Sequence, residues 1–291
     1  MNGKVQIVSK VAPGSFGDRK VLIQGYMISN TKPLMVLLHG VHGCANLKEG
    51  NKYAALAQML VQNSINVMII ETSRKTRDRE RYGEDRSSWV KEAFEGKTYA
   101  MDLFDVASAL SFLNRNVRCA SLWLWGFSLG GLHFLMITGS MHDKILREAN
   151  LENPLPIDLN VHGLILSGSG DEARPENKLN VNEPILDSLP EKRLLLEAAK
   201  NTKAGNVFAF YGSMDETFSK EACRRLFDLT PTKRSFVILS GVDHSFRTVK
   251  GTPSIAPLAD MINYLKSYLF KHPGPSSNNS QKTQYLSSKH Q

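Results

Sequence analysis

Cysteine is scarce: Cys44, Cys119 and Cys223 are the only three in 291 residues. An odd count without metal-like pairing excludes a disulfide framework and a zinc ribbon, and it points to a reducing, cytoplasmic compartment. The first twenty residues lack the apolar core of a secretory signal. H-E-x-x-H, G-x-x-x-x-G-K-[ST] and a dinucleotide-binding glycine fingerprint are also missing, so no metal or other cofactor is expected. Gly168-Ser169-Gly170 is too short to cradle phosphate. No stripe of Arg and Lys interleaved with aromatics accompanies the net charge of +8, so no nucleic-acid partner is expected. The basic run from Arg74 to Arg86 is interrupted by Asp78, Glu80, Glu84 and Asp85 and reads as a solvated loop.

One stretch, 119–141, contains no Asp, Glu, Lys or Arg and is long enough to span a bilayer. Gly126, Ser128, Gly130, Gly131 and His133 in its middle argue for a buried strand, a sharp turn and a buried helix, so no transmembrane segment is expected. Apolar, β-branched runs recur at 21–28, 34–38, 66–70, 121–125, 161–166, 207–211 and 235–239. Helical patterns at 52–62, 99–114, 129–138, 191–200, 220–229 and 257–270 lie between or after them. In 99–114 an apolar stripe leaves Asp102, Asp105 and Ser111 outside it. Alternation of this kind predicts an α/β fold: a mostly parallel twisted sheet of about eight strands with helices on both faces. Segments 5–8 and 21–28 should pair as an antiparallel N-terminal hairpin. Residues 1–272 are read as one domain, with 171–203 as a small helical cover. Residues 273–291, rich in Ser, Asn, Gln and Lys, are expected to be a disordered tail.

The chemistry concentrates where the strand Ser121-Leu122-Trp123-Leu124-Trp125 runs into Gly126-Phe127-Ser128-Leu129-Gly130 and then a helix. A nucleophile elbow needs this context, because a hydroxyl must protrude from a strained strand-to-helix turn whose flanking residues leave room for neighbouring backbone. The helix directs its first amides toward the same point, favouring negative charge. A serine hydroxyl also needs a base oriented by a carboxylate. His244 follows the last predicted strand, and Asp215 follows the strand before it. Both therefore fall at carboxyl ends of parallel strands, where open α/β sheets build their sites. Asp171 is a competing acid, since it too follows a strand. Asp243 more simply fixes its own loop, His133 is a core histidine, and Cys44 is a small thiol with no base beside it in sequence.

Elbow, acid and histidine together resemble the α/β-hydrolase superfamily over about residues 20–270. Gly241 to Phe246 is similar to the histidine loop of its esterase, lysophospholipase and dienelactone-hydrolase-like branches. Leu37-Leu38-His39-Gly40-Val41-His42-Gly43 resembles the family's His-Gly segment after the third strand. The resemblance implies Ser128, Asp215 and His244 as catalytic triad, the amides of Val41 and Leu129 as oxyanion hole, and His39 as a structural residue beneath them. His42, beside Val41, is a candidate substrate contact. Dienelactone hydrolases proper use cysteine as nucleophile, and the serine here favours ordinary ester chemistry. The expected activity is hydrolysis of a small-molecule carboxylic ester or thioester. Acyl transfer, peptidase action on small substrates and a non-catalytic binding role stay open, as does the oligomeric state.

Overall fold

The computed structural model describes residues 5–154, 159–174, 184–248, 255–270 and 282–286. Among the described residues, nine strands form one sheet in the order β1-β2-β4-β3-β5-β6-β7-β8-β9. β1 (Gln6–Pro13) and β2 (Lys20–Met27) make the N-terminal hairpin, and β2 also pairs antiparallel with β4 (Asn66–Glu71). From β4 the sheet is parallel through β3 (Leu34–Leu38), β5 (Leu122–Phe127), β6 (Gly163–Ser167), β7 (Val207–Gly212) and β8 (Lys233–Leu239). The helices are α1 (Lys52–Gln62), α2 (Arg86–Phe94), α3 (Tyr99–Asn116), α4 (Leu129–Thr138), α5 (His142–Glu148), α6 (Pro184–Asp187), α7 (Lys192–Lys200), α8 (Lys220–Leu229) and α9 (Ala256–Leu269). A 3-10 turn, Arg79–Tyr82, precedes α2.

The two-residue period of a strand sorts the core into two layers. Leu34, Val36 and Leu38 of β3 and Leu124 of β5 pack with α3, α4 and α8. Met35 and Leu37 of β3 and Trp123, Trp125 and Phe127 of β5 pack with α1 and α9. The charge-free stretch is thus accounted for by β5 and by α4, whose ten residues are all buried. No helix among the described residues is long and apolar enough to cross a membrane.

Four expectations need correction. Asp102, Asp105 and Ser111, outside the apolar stripe of α3, are all buried. Lys97, itself buried, lies 2.6 Å from Asp102 and 3.1 Å from Asp105, and Asp105 also accepts from the Ser73 amide at 2.7 Å. Two carboxylates can be buried on α3 because a cation and backbone donors meet them there. Arg74 belongs to no solvated loop: it is buried, 2.8 Å from Glu71, with its guanidinium 5.0 Å from the Trp89 ring centroid. Helix α7 packs against α4 and α8, burying Leu195, Ala198 and Ala199, so it belongs to the helical layer and does not cover the site.

The fourth correction concerns the tail, where Lys282–Leu286 forms β9 and pairs parallel with β8. The Ser240 amide donates to the Leu286 carbonyl at 3.2 Å. The rest of 273–291 lies outside the described residues. A strand laid along the edge satisfies backbone groups that β8 would otherwise expose. Truncation after His272 is therefore expected to lower the melting temperature by a few degrees while kcat/KM is retained. A melting curve and an ester assay on the same preparation check both halves.

Candidate active site

Ser128 sits between β5 and α4 with φ 52° and ψ −120°, a left-handed conformation that a non-glycine residue adopts at a cost. The fold holds it by backbone bonds. Its amide donates to the Ser167 carbonyl at 2.8 Å, and its carbonyl accepts from Ser169 Oγ at 2.8 Å and from the Gly131 amide at 3.0 Å. The elbow glycines are required by contact. A β-carbon on Gly126 would lie 2.3 Å from the Gly131 nitrogen, and one on Gly130 would lie 2.4 Å from the His39 carbonyl oxygen.

His244 and Asp215 come from adjacent loops after β8 and β7 that are stitched together: the Met214 amide donates to the Val242 carbonyl at 2.9 Å, and the Gly241 amide to Ser213 Oγ at 2.9 Å. His244 Nδ1 is 2.9 Å from Asp215 Oδ2. The other carboxylate oxygen accepts from the amides of Thr217 and Phe218 at 2.8 and 2.9 Å. The carboxyl group is thus buried with both oxygens engaged, while His244 keeps a partly open face toward the cleft that Ser128 also lines.

Asp171, the rival acid, is taken up elsewhere. Arg225 on α8 grips it bidentately, with Nε 2.9 Å from Oδ2 and Nη2 2.7 Å from Oδ1.

The loop after β3 closes the other side of Ser128. Gly40 lies so near that a β-carbon on it would be 3.6 Å from Ser128 Oγ. Among the described residues, neither the Val41 nor the Leu129 amide is spent on a backbone hydrogen bond. His39 supports the loop from beneath, with Nδ1 2.7 Å from the Gly40 carbonyl and Nε2 3.5 Å from the Thr72 amide. The carbonyl only accepts and the amide only donates, so the ring is neutral with its proton on Nδ1. Burial lowers the His39 pKa to about 4, consistent with that state. His42 adopts φ 52° and sets its ring 5.5 Å from that of Phe94; Val41 and Gly43 line the cleft, and His42 does not. His133 is buried, 2.8 Å from Asp102 and stacked 4.6 Å from the Tyr99 ring.

Gly168 carries a role that the sequence reading passed over because Gly168-Ser169-Gly170 was weighed only as a phosphate loop. At φ 59° it lies against the acid–histidine pair: a β-carbon there would be 3.2 Å from His244 Nδ1 and 3.3 Å from Asp215 Oδ2. Gly168→Ala combines left-handed strain of about 1–2 kcal/mol with pressure on that hydrogen bond. It is expected to reduce kcat/KM by about tenfold to a hundredfold, beyond what the modest fall in melting temperature explains. Steady-state kinetics beside a melting curve separate the two effects.

The cleft in front of Ser128 and His244 has a volume of about 1050 Å³. Its walls come from residues 43–53, the segment 77–86 and the histidine loop. Lys48 pairs with Glu80 across it, and Arg77 with Glu71 and Asp18.

No protein-family profile matches the chain, and no curated protein matches it in sequence. Its structure is similar to solved esterases and dienelactone hydrolases. Est1E from Butyrivibrio proteoclasticus superposes with a TM-score of 0.57 at 13% identity, over 90% of this chain and 97% of that one. A cold-adapted esterase from an Arctic intertidal metagenomic library gives 0.57 at 20%, over 90% and 94%. A dienelactone hydrolase, so described, from Klebsiella pneumoniae gives 0.60 at 14%, over 92% and 100%. At such identities the likeness establishes the fold, and the fold is that of the α/β-hydrolases.

Proposed function

On the fold that this chain shares with those esterases, we propose that it is a serine hydrolase cleaving a carboxylic ester or thioester through an acyl-Ser128 intermediate. The observation that carries the reading is the 2.9 Å bond from His244 to a buried Asp215, opening on the cleft where Ser128 stands in its strained turn. Asp215 holds His244 in the tautomer with its proton on Nδ1, leaving Nε2 to take the Ser128 proton as Oγ attacks the carbonyl carbon. The amides of Val41 and Leu129 receive the developing oxyanion, each contributing about 3 kcal/mol to the transition state. His244 then returns the proton to the leaving alcohol or thiol, and water resolves the acyl enzyme by the same route. The reaction uses no cofactor, and three free thiols suit a reducing, cytoplasmic setting.

A fluorophosphonate, which reacts only with an activated serine, tests the reading directly, and a panel of esters of increasing acyl length follows from it. Mass-spectrometric assignment of the adduct to Ser128 is the expected result. A wild-type chain that neither labels nor turns over any ester would leave a binding protein on a hydrolase fold.

A further inference from the structure

Four cations lining the cleft form no ion pair with a carboxylate among the described residues: Lys52, Arg79, Arg86 and Arg247. Lys52 is at the first position of α1, yet its side chain turns inward. Its Nζ lies 3.3 Å from the Ser245 carbonyl, 4.4 Å from the Phe127 ring centroid and 5.1 Å from that of Tyr53. Phe127 precedes Ser128 and Ser245 follows His244 in the chain, and Lys52 lines the same cleft as both proposed reacting residues. The surroundings raise its energy. Burial lowers the Lys52 pKa to about 8; Arg247 adds to the fall and Asp243 opposes it. Arg86 is likewise held below its usual range, by burial first and also by Arg79, Arg247 and Arg74. A wall of mutually repelling cations at the mouth of a reactive centre costs stability unless the site is built to receive negative charge.

We propose that Lys52, with Arg86 and Arg247, forms an anion subsite beside Ser128, so that the ester or thioester cleaved here carries a carboxylate or phosphate group near its scissile carbonyl. The proposal rests on the Ser128 reading above. It adds the substrate class: an acidic acyl or leaving group, drawn in by the cleft's positive field and held by charge-assisted hydrogen bonds.

The test compares p-nitrophenyl hydrogen adipate with p-nitrophenyl hexanoate, which share chain length and differ in the terminal carboxylate. The wild type should favour the adipate ester by about tenfold or more in kcat/KM, expressed in KM. Lys52→Met should remove most of that preference and Lys52→Arg should retain it. Where Lys52→Met fails to fold, Arg86→Gln and Arg247→Gln should each lower the preference severalfold. The KM for the adipate ester should also rise as pH passes through about 8 and Lys52 loses its proton. Arg247 and Asp243 act on the ammonium with opposite sign, and the buried Tyr53 phenol, pushed up, stays neutral there. The hexanoate KM, sharing His244 and lacking the anion, should not follow. Competition by adipate dianion against inorganic phosphate assigns the anion to one chemistry or the other. Equal handling of the two esters by the wild type, or a preference that survives Lys52→Met, overturns the proposal. Wild-type chain that resists the fluorophosphonate overturns the Ser128 reading instead; calorimetric binding of adipate or phosphate that depends on Lys52 still reads the subsite.

Discussion

Ser128→Ala is expected to abolish turnover and fluorophosphonate labelling, lowering kcat by about 10⁶-fold, the cost of losing such a nucleophile in a serine protease, while the melting temperature stays nearly unchanged. The two halves of the result follow from different atoms. The elbow is held by the Ser128 amide and carbonyl, bonded to Ser167, Ser169 and Gly131, and alanine keeps both. Alanine is no more strained than serine at φ 52°. What the substitution removes is the oxygen proposed to form the acyl enzyme. Cys44 lines the same cleft, but its sulfur accepts from the Asn46 side chain at 3.5 Å and, among the described residues, no histidine is bonded to it. Near-normal activity in the variant would remove Ser128 as nucleophile and the reading built on it.

The elbow is legible in one dimension because its constraint is local: Gly126, Ser128 and Gly130 must be close in sequence to make one turn, and the strand before and the helix after announce themselves by period. The alternation of strand and helix is legible for the same reason. Charge is where the sequence misleads. Asp102 and Asp105 look solvent-facing on a helical wheel, and their burial is met by Lys97, arriving from the preceding loop, together with His133 at Asp102 and the Ser15 and Ser73 donors at Asp105. Arg74 looks like one more member of a solvated basic run until Glu71, Trp89 and Phe94 surround it. Lys48 meets Glu80 and Arg77 meets Asp18 across tens of residues, so the charged cleft wall has no signature in spacing. The strand Lys282–Leu286 was missed because an edge strand draws its stability from the neighbour it pairs with, not from its own apolar pattern.

The same limit of sequence separates the two candidate acids, and the structure gives them opposite expectations. Asp215 and Asp171 both follow strands of the parallel sheet, and in sequence either could reach its carboxyl edge. In space Asp215 binds His244 Nδ1 at 2.9 Å, while Asp171 is held by Arg225 from a helix 54 residues further along the chain. Asp215→Asn keeps the shape and the capacity to accept from Thr217 and Phe218, so the loop should fold. The amide, however, can offer a donor to Nδ1, which moves the histidine proton to Nε2 and leaves no base facing Ser128, and it no longer supports the imidazolium charge. Turnover is expected to fall by about 10⁴-fold, the size of the equivalent change in the serine-protease template. Asp171→Asn weakens a bidentate pair to a half-exposed arginine, so it should cost some melting temperature and keep kcat/KM within about tenfold of wild type. Measuring both variants at one pH with one ester decides the assignment. A collapse in Asp171→Asn with a mild loss in Asp215→Asn would transfer the acid to Asp171 and leave Ser128 and His244 where they are.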